Sequence, residues 1–393
     1  MDFFFDSSHF SLRDRIRSWL QKNLLLSVQP GRNVEREAKR WVRRLGEAQF
    51  LAHVAPAEFG GARDRIQARD LCLLREELAR ASSLADAMLA LQALGSYPII
   101  LAGSEAQKRR YLPPIVAGRA IAAFALTEPQ AGSDVLSMQT RALRRRGRWL
   151  LRGVKRFISN AGIAQTYLVF AITNPNRKVD GISAFLVPAE TPGLVVTEKT
   201  RLISLHPIGT IAFEDCSIPE TQLVGKEGEG LRIAFATLDM FRCTVGAAAV
   251  GLAQRAFEEA LGYSQKRHQF GRSLAHFQGI QWKLADMATE LEAARLLVYQ
   301  AAWMNDHGHE GFKEKASMAK LFATEAAQRI VDQALQIHGG VGLISGTPVE
   351  QLYRDVRALR IYEGSSEIQR LIIARSLIGR NGRRKVHNPL IRW

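Results

Sequence analysis

The spacing of apolar residues changes twice along this 393-residue chain, and this change constrains the fold more than any other feature. The first third carries helical spacing, as in Leu71, Leu74 and Leu78. The middle third instead contains short β-rich runs between turn residues, and the helical period returns after Gly230. We therefore predict an α+β multidomain fold. Its expected parts are an N-terminal helical domain (1–122), a middle antiparallel β-barrel or sandwich domain (123–226) and a C-terminal four-helix bundle with a basic tail (227–393).

Local patterns predict individual elements. Ser104 and Gln107 can form a capping box, which predicts a helix ahead of Pro113. Ser366 and Gln369 have the same spacing, so a helix is expected to begin there. The predicted strands cover residues 167–172, 182–187, 194–197 and 210–213, and the predicted long helices cover about 231–266, 277–306, 312–338 and 366–378.

The net charge of +16 attracts phosphates, whether they belong to nucleic acid, a membrane, a cofactor or an acidic protein. The densest basic stretch, Arg141 to Arg156, is interpreted as a solvated hairpin turning at Gly147, because charge runs usually face water. A second cluster, Arg380 to Lys385, is interpreted as a basic tail.

Other features narrow the class of protein. No apolar run reaches about 18 residues, so no membrane-spanning helix is predicted. Cys72, Cys216 and Cys243 lie far apart and are expected to be buried and free, as is typical of a reducing cytoplasm. The pair His307 and His309 lacks further ligands at metal-binding spacing, so no metal site is predicted.

One candidate catalytic group is Glu363, which stands beside Gly364 just ahead of the predicted helix. A glycine neighbour lets another molecule approach the backbone closely. A carboxylate on a loop between apolar segments can be partly desolvated, which raises its pKa toward that of a useful base. The alternative is a solvated surface glutamate, which is the commoner environment of this residue type.

A second informative segment runs from Phe124 to Asp134 and combines hydroxyls with small residues. Thr127 and Ser133 can donate or accept hydrogen bonds, and Gly132 lets backbone N–H groups approach a ligand. Such a segment suits a planar heterocycle or a phosphate. The alternative is an ordinary turn between domains.

The order of these thirds and segments resembles the acyl-CoA dehydrogenase flavoprotein family over roughly residues 10–380. The N-domain turn is similar to Pro56–Gly61, and Glu363 stands at the catalytic-base position of the family. The four segments that resemble flavin-binding segments are Phe124–Asp134, Lys155–Asn160, Arg267–Gly271 with Phe277–Gln278, and Gln336–Gly340.

The resemblance implies that the cofactor is FAD and that certain residues contact it. Phe157 would lie against the isoalloxazine ring and Ser159 would hydrogen-bond near N5, although the family more often has Trp and Thr at these positions. Arg267 would meet the pyrophosphate, where a planar guanidinium can bind two oxygens. The other implied FAD-binding residues are Phe124, Leu126, Thr127, Gly132, Ser133, Gln269, Phe270, Phe277, Gln278, Gln336, Gly339, Gly340, Ser365 and Glu367.

In the family, the arginine and the glycine turn serve the flavin of a neighbouring subunit, so the resemblance implies a homotetramer. It also places Ser133, Asp239, Arg242 and Gly364 near the substrate thioester and its pantetheine arm. For Asp239 and Arg242, a plain ion pair at i, i+3 is the alternative. Helix residues around Leu89 to Tyr97 are candidates to line the acyl pocket.

The function implied is oxidation of acyl-CoA to trans-2-enoyl-CoA, with Glu363 taking the α-proton and flavin N5 accepting the β-hydride. Electron-transferring flavoprotein is the expected acceptor. Two alternatives are also enzymes. One is a dehydrogenase whose acyl substrate is carried on an acidic carrier protein, and the other is an oxidase that passes electrons to O₂. A third is a DNA-binding flavoprotein of the same superfamily, but aromatic residues do not interleave with the arginines of residues 141–156, so no nucleic-acid partner is expected.

Overall fold

The computed structural model describes residues 2–23 and 33–381. Leu24 and the predicted basic tail beyond residue 381 lie outside the described residues. The described chain is helical at both ends and has one sheet between them, as the change in apolar spacing predicts.

The N-terminal part, in its described residues 2–23 and 33–122, contains five α-helices that pack around a shared apolar core. The predicted capping box is present at the start of the fifth helix, where Ser104 and Gln107 exchange hydrogen bonds. The fourth helix lies directly on the first strand, because a Cβ at Gly95 would come within 2.5 Å of the Ala122 Cβ. The helices are α1 (Ser7–Asn23), α2 (Val34–Glu47), α3 (Ala68–Ala81), α4 (Ser83–Ala102) and α5 (Glu105–Val116).

The middle part is one sheet of eight strands, ordered β6-β7-β3-β2-β4-β5-β8 with β1 paired to β4. Most pairs are antiparallel, as predicted, but β1 runs parallel to β4. Trp149 of β3 meets Phe185 of β5 edge-on at 5.2 Å, so the sheet curls until non-neighbouring strands face each other. The strands are β1 (Ala122–Ala125), β2 (Arg141–Arg145), β3 (Arg148–Ser159), β4 (Thr166–Ile172), β5 (Ile182–Pro188), β6 (Leu194–Lys199), β7 (Ile208–Pro219) and β8 (Leu223–Val224).

The arginine-rich stretch is a hairpin, as predicted. β2 pairs with β3 up to Arg145 and Arg148, and Arg146 and Gly147 form the turn with positive φ angles of 49° and 73°. Arg144 forms an ion pair with Glu220, so part of this charge is used on the protein's own surface.

The C-terminal part is built on three long helices, α6 (Gly230–Lys266), α7 (Gln278–Asp306) and α8 (Phe312–His338), with α10 (Ser366–Asn381) packed on α8. These four helices match the predicted bundle. The sequence prediction omitted α9 (Pro348–Leu359), which packs on α6 and α8. A two-stranded ribbon, β9 (His268–Gln269) and β10 (Arg272–Ser273), joins α6 to α7.

Helices α4 and α6 are long and apolar enough to cross a membrane by length and composition alone. However, 72% and 83% of their most apolar windows are buried inside the molecule. α6 packs against α3, α7 and α8, so its apolar character is accounted for by the core of the protein.

Candidate active site

Glu363 lies in a tight turn between α9 and α10, in the left-handed region with φ of 54°. Gly364 follows with φ of 90°, and a Cβ there would come within 2.6 Å of the Gln369 amide nitrogen. Lys320 of α8 donates to the carbonyl oxygens of Tyr362 and Gly364. The turn is therefore held from both sides in a backbone conformation that L side chains rarely adopt.

Glu363 is half-buried as a residue, but its Oε2 atom is buried and has no hydrogen-bond partner within the described protein. Burial raises the pKa of Glu363, while the positive charges of Arg75, Lys320 and Arg242 oppose this rise. A buried oxygen without a partner usually marks a site that something else must complete. The carboxylate is thus placed to accept a proton from a bound molecule.

Arg75 lies at the centre of this charged environment and is almost fully buried. Its guanidinium donates to both carboxylate oxygens of Asp86, at 2.7 and 3.0 Å, and to the Thr244 hydroxyl at 2.9 Å. These contacts join α3, α4 and α6 behind Glu363. Burial also lowers the pKa of Lys320 to about 8.

Asp239 and Arg242 form the predicted ion pair within α6, and both are buried. Lys313 adds a second cation to Asp239 at 2.9 Å. The charge of Glu363 also acts on Arg242, so the structure brings the predicted base and this part of the predicted substrate site together.

A cavity of about 230 Å³ is lined in part by Met240, which follows Asp239 in α6. Neither Asp239, Arg242 nor Glu363 is among its lining residues. Tyr97 lines the same cavity and packs edge-on against Phe241 at 5.4 Å. Tyr97, at the end of the candidate pocket segment Leu89–Tyr97, therefore lines a cavity.

The first two predicted flavin segments are bound together by a buried ion pair. Lys155 donates to Glu128 at 2.8 Å and to the Leu126 carbonyl at 3.0 Å. Glu128 in turn accepts from the backbone N–H groups of Gln139 and Thr140. Burial lowers the pKa of Lys155 to about 8. This ion pair fixes the loop after β1 against β3.

The same two segments leave an open surface that fits a planar cofactor. Arg156 N–H donates to the Thr127 carbonyl, which aligns the segments. Phe157 has φ of 56° and a ring that is 49% exposed, so a flat heterocycle can stack on it. Gly132 has open space around it, and Ser133 beside it is exposed. Phe124 instead points into the sheet, where its ring meets Phe170 at 5.0 Å.

The third and fourth predicted flavin segments meet at one end of the helical bundle. Tyr263, near the end of α6, stacks on His338 at the end of α8, with ring centres 4.3 Å apart. Phe270 and Phe277 contact each other edge-on at 6.2 Å. The predicted cofactor-binding residues that are exposed at this end are Arg267, Gln269, Phe270, Gln278, Gln336, Gly339 and Gly340.

This bundle end is separate from the Phe157 surface. No hydrogen bond, ion pair or ring contact joins the two groups within the described part of the chain. Gly339 and Gly340 have open space where a Cβ would stand, so their backbone can approach a ligand. The predicted cofactor-binding residues therefore form two separate groups within the described part of the chain.

The capping box expected at Ser366 and Gln369 is wrong, although α10 does begin at Ser366. The Ser366 hydroxyl donates to Glu325 at 2.6 Å, and the Gln369 amide donates to the Gly364 carbonyl. In a capping box the Ser366 oxygen would accept from the Gln369 N–H, but that N–H donates to the Ser365 carbonyl at 3.0 Å instead. Ser365 instead donates to Glu367, whose pKa is lowered by its own backbone N–H and then by this hydroxyl.

Sequence reasoning missed Arg75, Lys320 and the Glu128–Lys155 pair. The available signal was a charged residue at an apolar position of a helix, as for Lys320 between Ala316, Ala319 and Ala323. A lysine there must be paired or hydrogen-bonded, which is a reason to look for a nearby site.

Comparisons with known proteins agree with this geometry. Sequence profiles of the acyl-CoA dehydrogenase N-terminal, middle and C-terminal domains match residues 6–119, 123–216 and 228–378. An acyl-CoA dehydrogenase of Bacillus subtilis (strain 168) is 40% identical over 371 residues, covering 94% of this chain and 97% of that protein. The mitochondrial short-chain specific acyl-CoA dehydrogenase of Rattus norvegicus is 40% identical over 377 residues, covering 94% and 90%.

Solved structures are also similar. Butyryl-CoA dehydrogenase from Megasphaera elsdenii has a TM-score of 0.89 at 33% identity, covering 96% of this chain and 100% of that one. An acyl-CoA dehydrogenase complexed with FAD from Bacillus anthracis has a TM-score of 0.86 at 30% identity, covering 96% and 68%. The prolyl acyl carrier protein oxidase AnaB has a TM-score of 0.85 at 29% identity, covering 95% and 99%.

Proposed function

The chain belongs to the acyl-CoA dehydrogenase family of flavin-dependent oxidoreductases, and from this premise we propose that it oxidises an acyl thioester to the trans-2-enoyl thioester with Glu363 as the base. The observation that carries the proposal is the buried Oε2 atom of Glu363, which has no hydrogen-bond partner in the described part of the chain. Bound FAD would supply the acceptor for the hydride that leaves the β-carbon.

Glu363 takes the proton from the α-carbon. Burial raises the pKa of this carboxyl, which makes it a stronger base than an exposed glutamate. An isolated α C–H is still too weak an acid, so the charge that develops on the thioester oxygen must be stabilised. The Glu363 N–H is unused by any hydrogen bond within the described protein, and it is available to donate to that oxygen.

The residues that would hold FAD divide between two chains. Phe157, Thr127 and Ser159 would contact the ring of the flavin in their own subunit. Arg267 and the turn Gln336–Gly340 would contact the pyrophosphate end in a neighbour, which requires an oligomer, and the proposed form is the homotetramer of the family. The exposure of these groups at two separate surfaces supports this division.

We infer a cytoplasmic location from the three free, buried cysteines.

Short acyl groups on CoA are the proposed substrate class. The names of the Rattus norvegicus and Megasphaera elsdenii proteins favour this class. The cavity of about 230 Å³ beside Tyr97 and Met240 is a candidate for the acyl tail. Electron-transferring flavoprotein is the proposed acceptor, and peroxide formation in air would identify an oxidase instead.

The test is anaerobic titration of the FAD-loaded protein with acyl-CoA thioesters of increasing length, followed by loss of the visible flavin absorbance. Glu363→Gln should keep FAD but slow this loss by about 10²- to 10⁴-fold, the usual contribution of a general base. Glu310→Gln is the matched control, because Glu310 is exposed on a loop remote from the turn. Parent-rate bleaching in Glu363→Gln would exclude this base, and protein that never binds FAD would exclude the function.

A second candidate substrate is an acyl group on an acidic carrier protein. The net charge of +16 and the similarity to the prolyl acyl carrier protein oxidase AnaB favour it. Comparing bleaching by one acyl group on CoA and on a carrier protein separates the two. Faster reaction with the carrier-bound form, weakened by salt, would replace CoA as the substrate carrier.

A further inference from the structure

His206 contacts the hydroxyl that the proposed function places beside the reacting part of the cofactor. Its Nε2 atom lies 3.1 Å from the Ser159 Oγ. Ser159 ends β3, and its register partner Ile208 begins β7, so His206 reaches Ser159 from the segment just before β7. The Asn160 N–H donates to the Pro207 carbonyl at 2.8 Å and fixes this segment against the end of β3.

A second contact holds the same segment from the far side. The Ser204 hydroxyl hydrogen-bonds the Asp355 carboxylate of α9, which also accepts from Ser83 at the start of α4. The position of His206 is therefore set by the sheet, by α4 and by α9. A ring held this firmly can direct the orientation of a hydroxyl next to it.

The imidazole is neutral at physiological pH, because burial lowers the pKa of His206 to about 4. A neutral imidazole has one nitrogen that donates and one that accepts. Its Nδ1 atom has no hydrogen bond to any residue that the structure describes, so neither tautomer is locked. Nε2 can therefore either donate to the Ser159 oxygen or accept from its hydroxyl.

We propose that His206 is a positioning residue that lets the Ser159 hydroxyl reverse its hydrogen bond toward the flavin as the flavin changes redox state. This inference rests on the proposed function. With oxidised FAD bound, Ser159 would donate to a flavin nitrogen and accept from the His206 Nε2–H. With reduced FAD bound, Ser159 would accept from the flavin N–H and donate to Nε2. His206 would then have released its Nε2 proton to water and taken one at Nδ1, so the ring stays neutral.

The reversal predicts a direction for the effect of a substitution. Without an acceptor at residue 206, Ser159 can still donate to oxidised FAD, but its proton lacks a partner when it accepts from reduced FAD. The reduced form is therefore bound more weakly relative to the oxidised form. One net hydrogen bond is worth roughly a tenfold change in this ratio, which is about 30 mV for a two-electron couple.

The experiment measures the two-electron midpoint potential of FAD in the holoenzyme by spectroelectrochemical titration. His206→Phe should lower the midpoint potential by about 30 mV. His206→Gln keeps a donor and an acceptor, so its midpoint potential should stay near that of the wild type. His307→Phe is the control, because His307 is exposed and its ring contacts Trp303 in the C-terminal part. In a Ser159→Ala background, His206→Phe should have no further effect.

An unchanged potential in His206→Phe, or an equal shift with and without Ser159, overturns the inference. If His206→Phe does not retain FAD, wild-type holoenzyme with ¹⁵N-labelled histidine replaces it. The imidazole signal that is missing from the spectrum of His206→Gln belongs to His206. Its ¹⁵N shifts should show a change of tautomer when the flavin is reduced, and unchanged shifts overturn the inference. Protein that never binds FAD contradicts the proposed function instead, so the two failures are distinguishable.

Discussion

At the residue scale, Lys320 connects the geometry of the catalytic turn to its electrostatics. The same ammonium that binds two carbonyl oxygens of the turn also lowers the pKa of Glu363 against the effect of burial. A base must be deprotonated to act, so kcat/KM should fall as the pH drops through the raised pKa of Glu363. The acidic limb is therefore expected above the ordinary glutamate value of 4.5.

The substitution Lys320→Met removes this positive charge from the surroundings of Glu363. The pKa of Glu363 should then rise further, and the acidic limb of kcat/KM should move to higher pH by about one unit. The measurement is the pH profile of kcat/KM for both proteins. Lys178→Met, at an exposed loop position of the middle part, should leave the profile unchanged. An unshifted limb in Lys320→Met would mean that this lysine acts only as a structural support.

At the scale of elements, the Glu128–Lys155 pair joins β1 and its loop to β3. Lys155→Met leaves Glu128 buried without its cation, and such a loss costs about 3–5 kcal/mol of the unfolding free energy. The double variant Glu128→Gln with Lys155→Met removes the uncompensated charge, so it should recover part of the loss. Urea denaturation of the three proteins measures these differences.

The exposed ion pair between Arg152 and Asp215 on the neighbouring part of the sheet provides the comparison. Arg152→Met should leave the unfolding free energy nearly unchanged, because water screens this pair. FAD retention should fall in Lys155→Met and stay unchanged in Arg152→Met, because Lys155 also donates to the Leu126 carbonyl. Equal effects of Lys155→Met and Arg152→Met would contradict the special role of the buried pair.

The same scale shows what sequence can and cannot predict here. Helices α6, α7 and α8 were predicted to within a residue because each has a long apolar period. Helix α9 is short and begins with Pro348. It nevertheless has apolar residues at helical spacing, which are Val349, Leu352, Val356 and Leu359. A short periodic run beside a proline is easily taken for a loop.

The predicted site residues came from local motifs, whereas the groups that tune them came from distant elements. Glu363 and the loop of Thr127 stand in recognisable segments. Arg75 and Lys320 act on Glu363 from α3 and α8, and His206 reaches Ser159 from another strand connection. No spacing along the chain encodes these contacts, because they depend on how helices and strands pack.

At the scale of the whole molecule, Asp355 joins all three parts of the chain. It accepts from Ser83 of α4 at 2.6 Å and from Gln351 of its own helix at 2.9 Å, and it bonds Ser204 of the middle part. Burial nevertheless raises the pKa of Asp355 to about 6. Folding therefore favours the protonated carboxyl, and the stability it contributes below pH 3.8 is lost as the pH rises through 6.

Asp355→Asn cannot ionise, so it should not lose stability over this range. At pH 8 its unfolding free energy should exceed that of the wild type by about 3 kcal/mol, the equivalent of roughly two pKa units. The difference should shrink as the pH is lowered from 8 to 5. Asp332→Asn, at an exposed position of α8, should show no such trend. A pH-independent difference for Asp355→Asn would contradict this account.

Assembly is the remaining property at this scale. α6 and α8 end, and α7 begins, at the same end of the bundle, where Phe270 is 93% exposed, Leu343 71% and Trp282 62%. Large apolar side chains gathered at one end usually mark a surface that another chain covers. The proposed homotetramer would bury this end and bring Arg267 to the flavin of a neighbouring subunit.

Trp282→Asp should therefore weaken two properties together, because a carboxylate at a buried contact must lose its hydration. Light scattering should show a mass below four chains, and the ratio of FAD to protein should fall in parallel. Phe3→Asp is the matched control, because Phe3 is 73% exposed but lies in the N-terminal part, and it should preserve both values. If Trp282→Asp dissociates the assembly while each chain keeps its FAD, then the bundle end joins subunits without contributing to the flavin site.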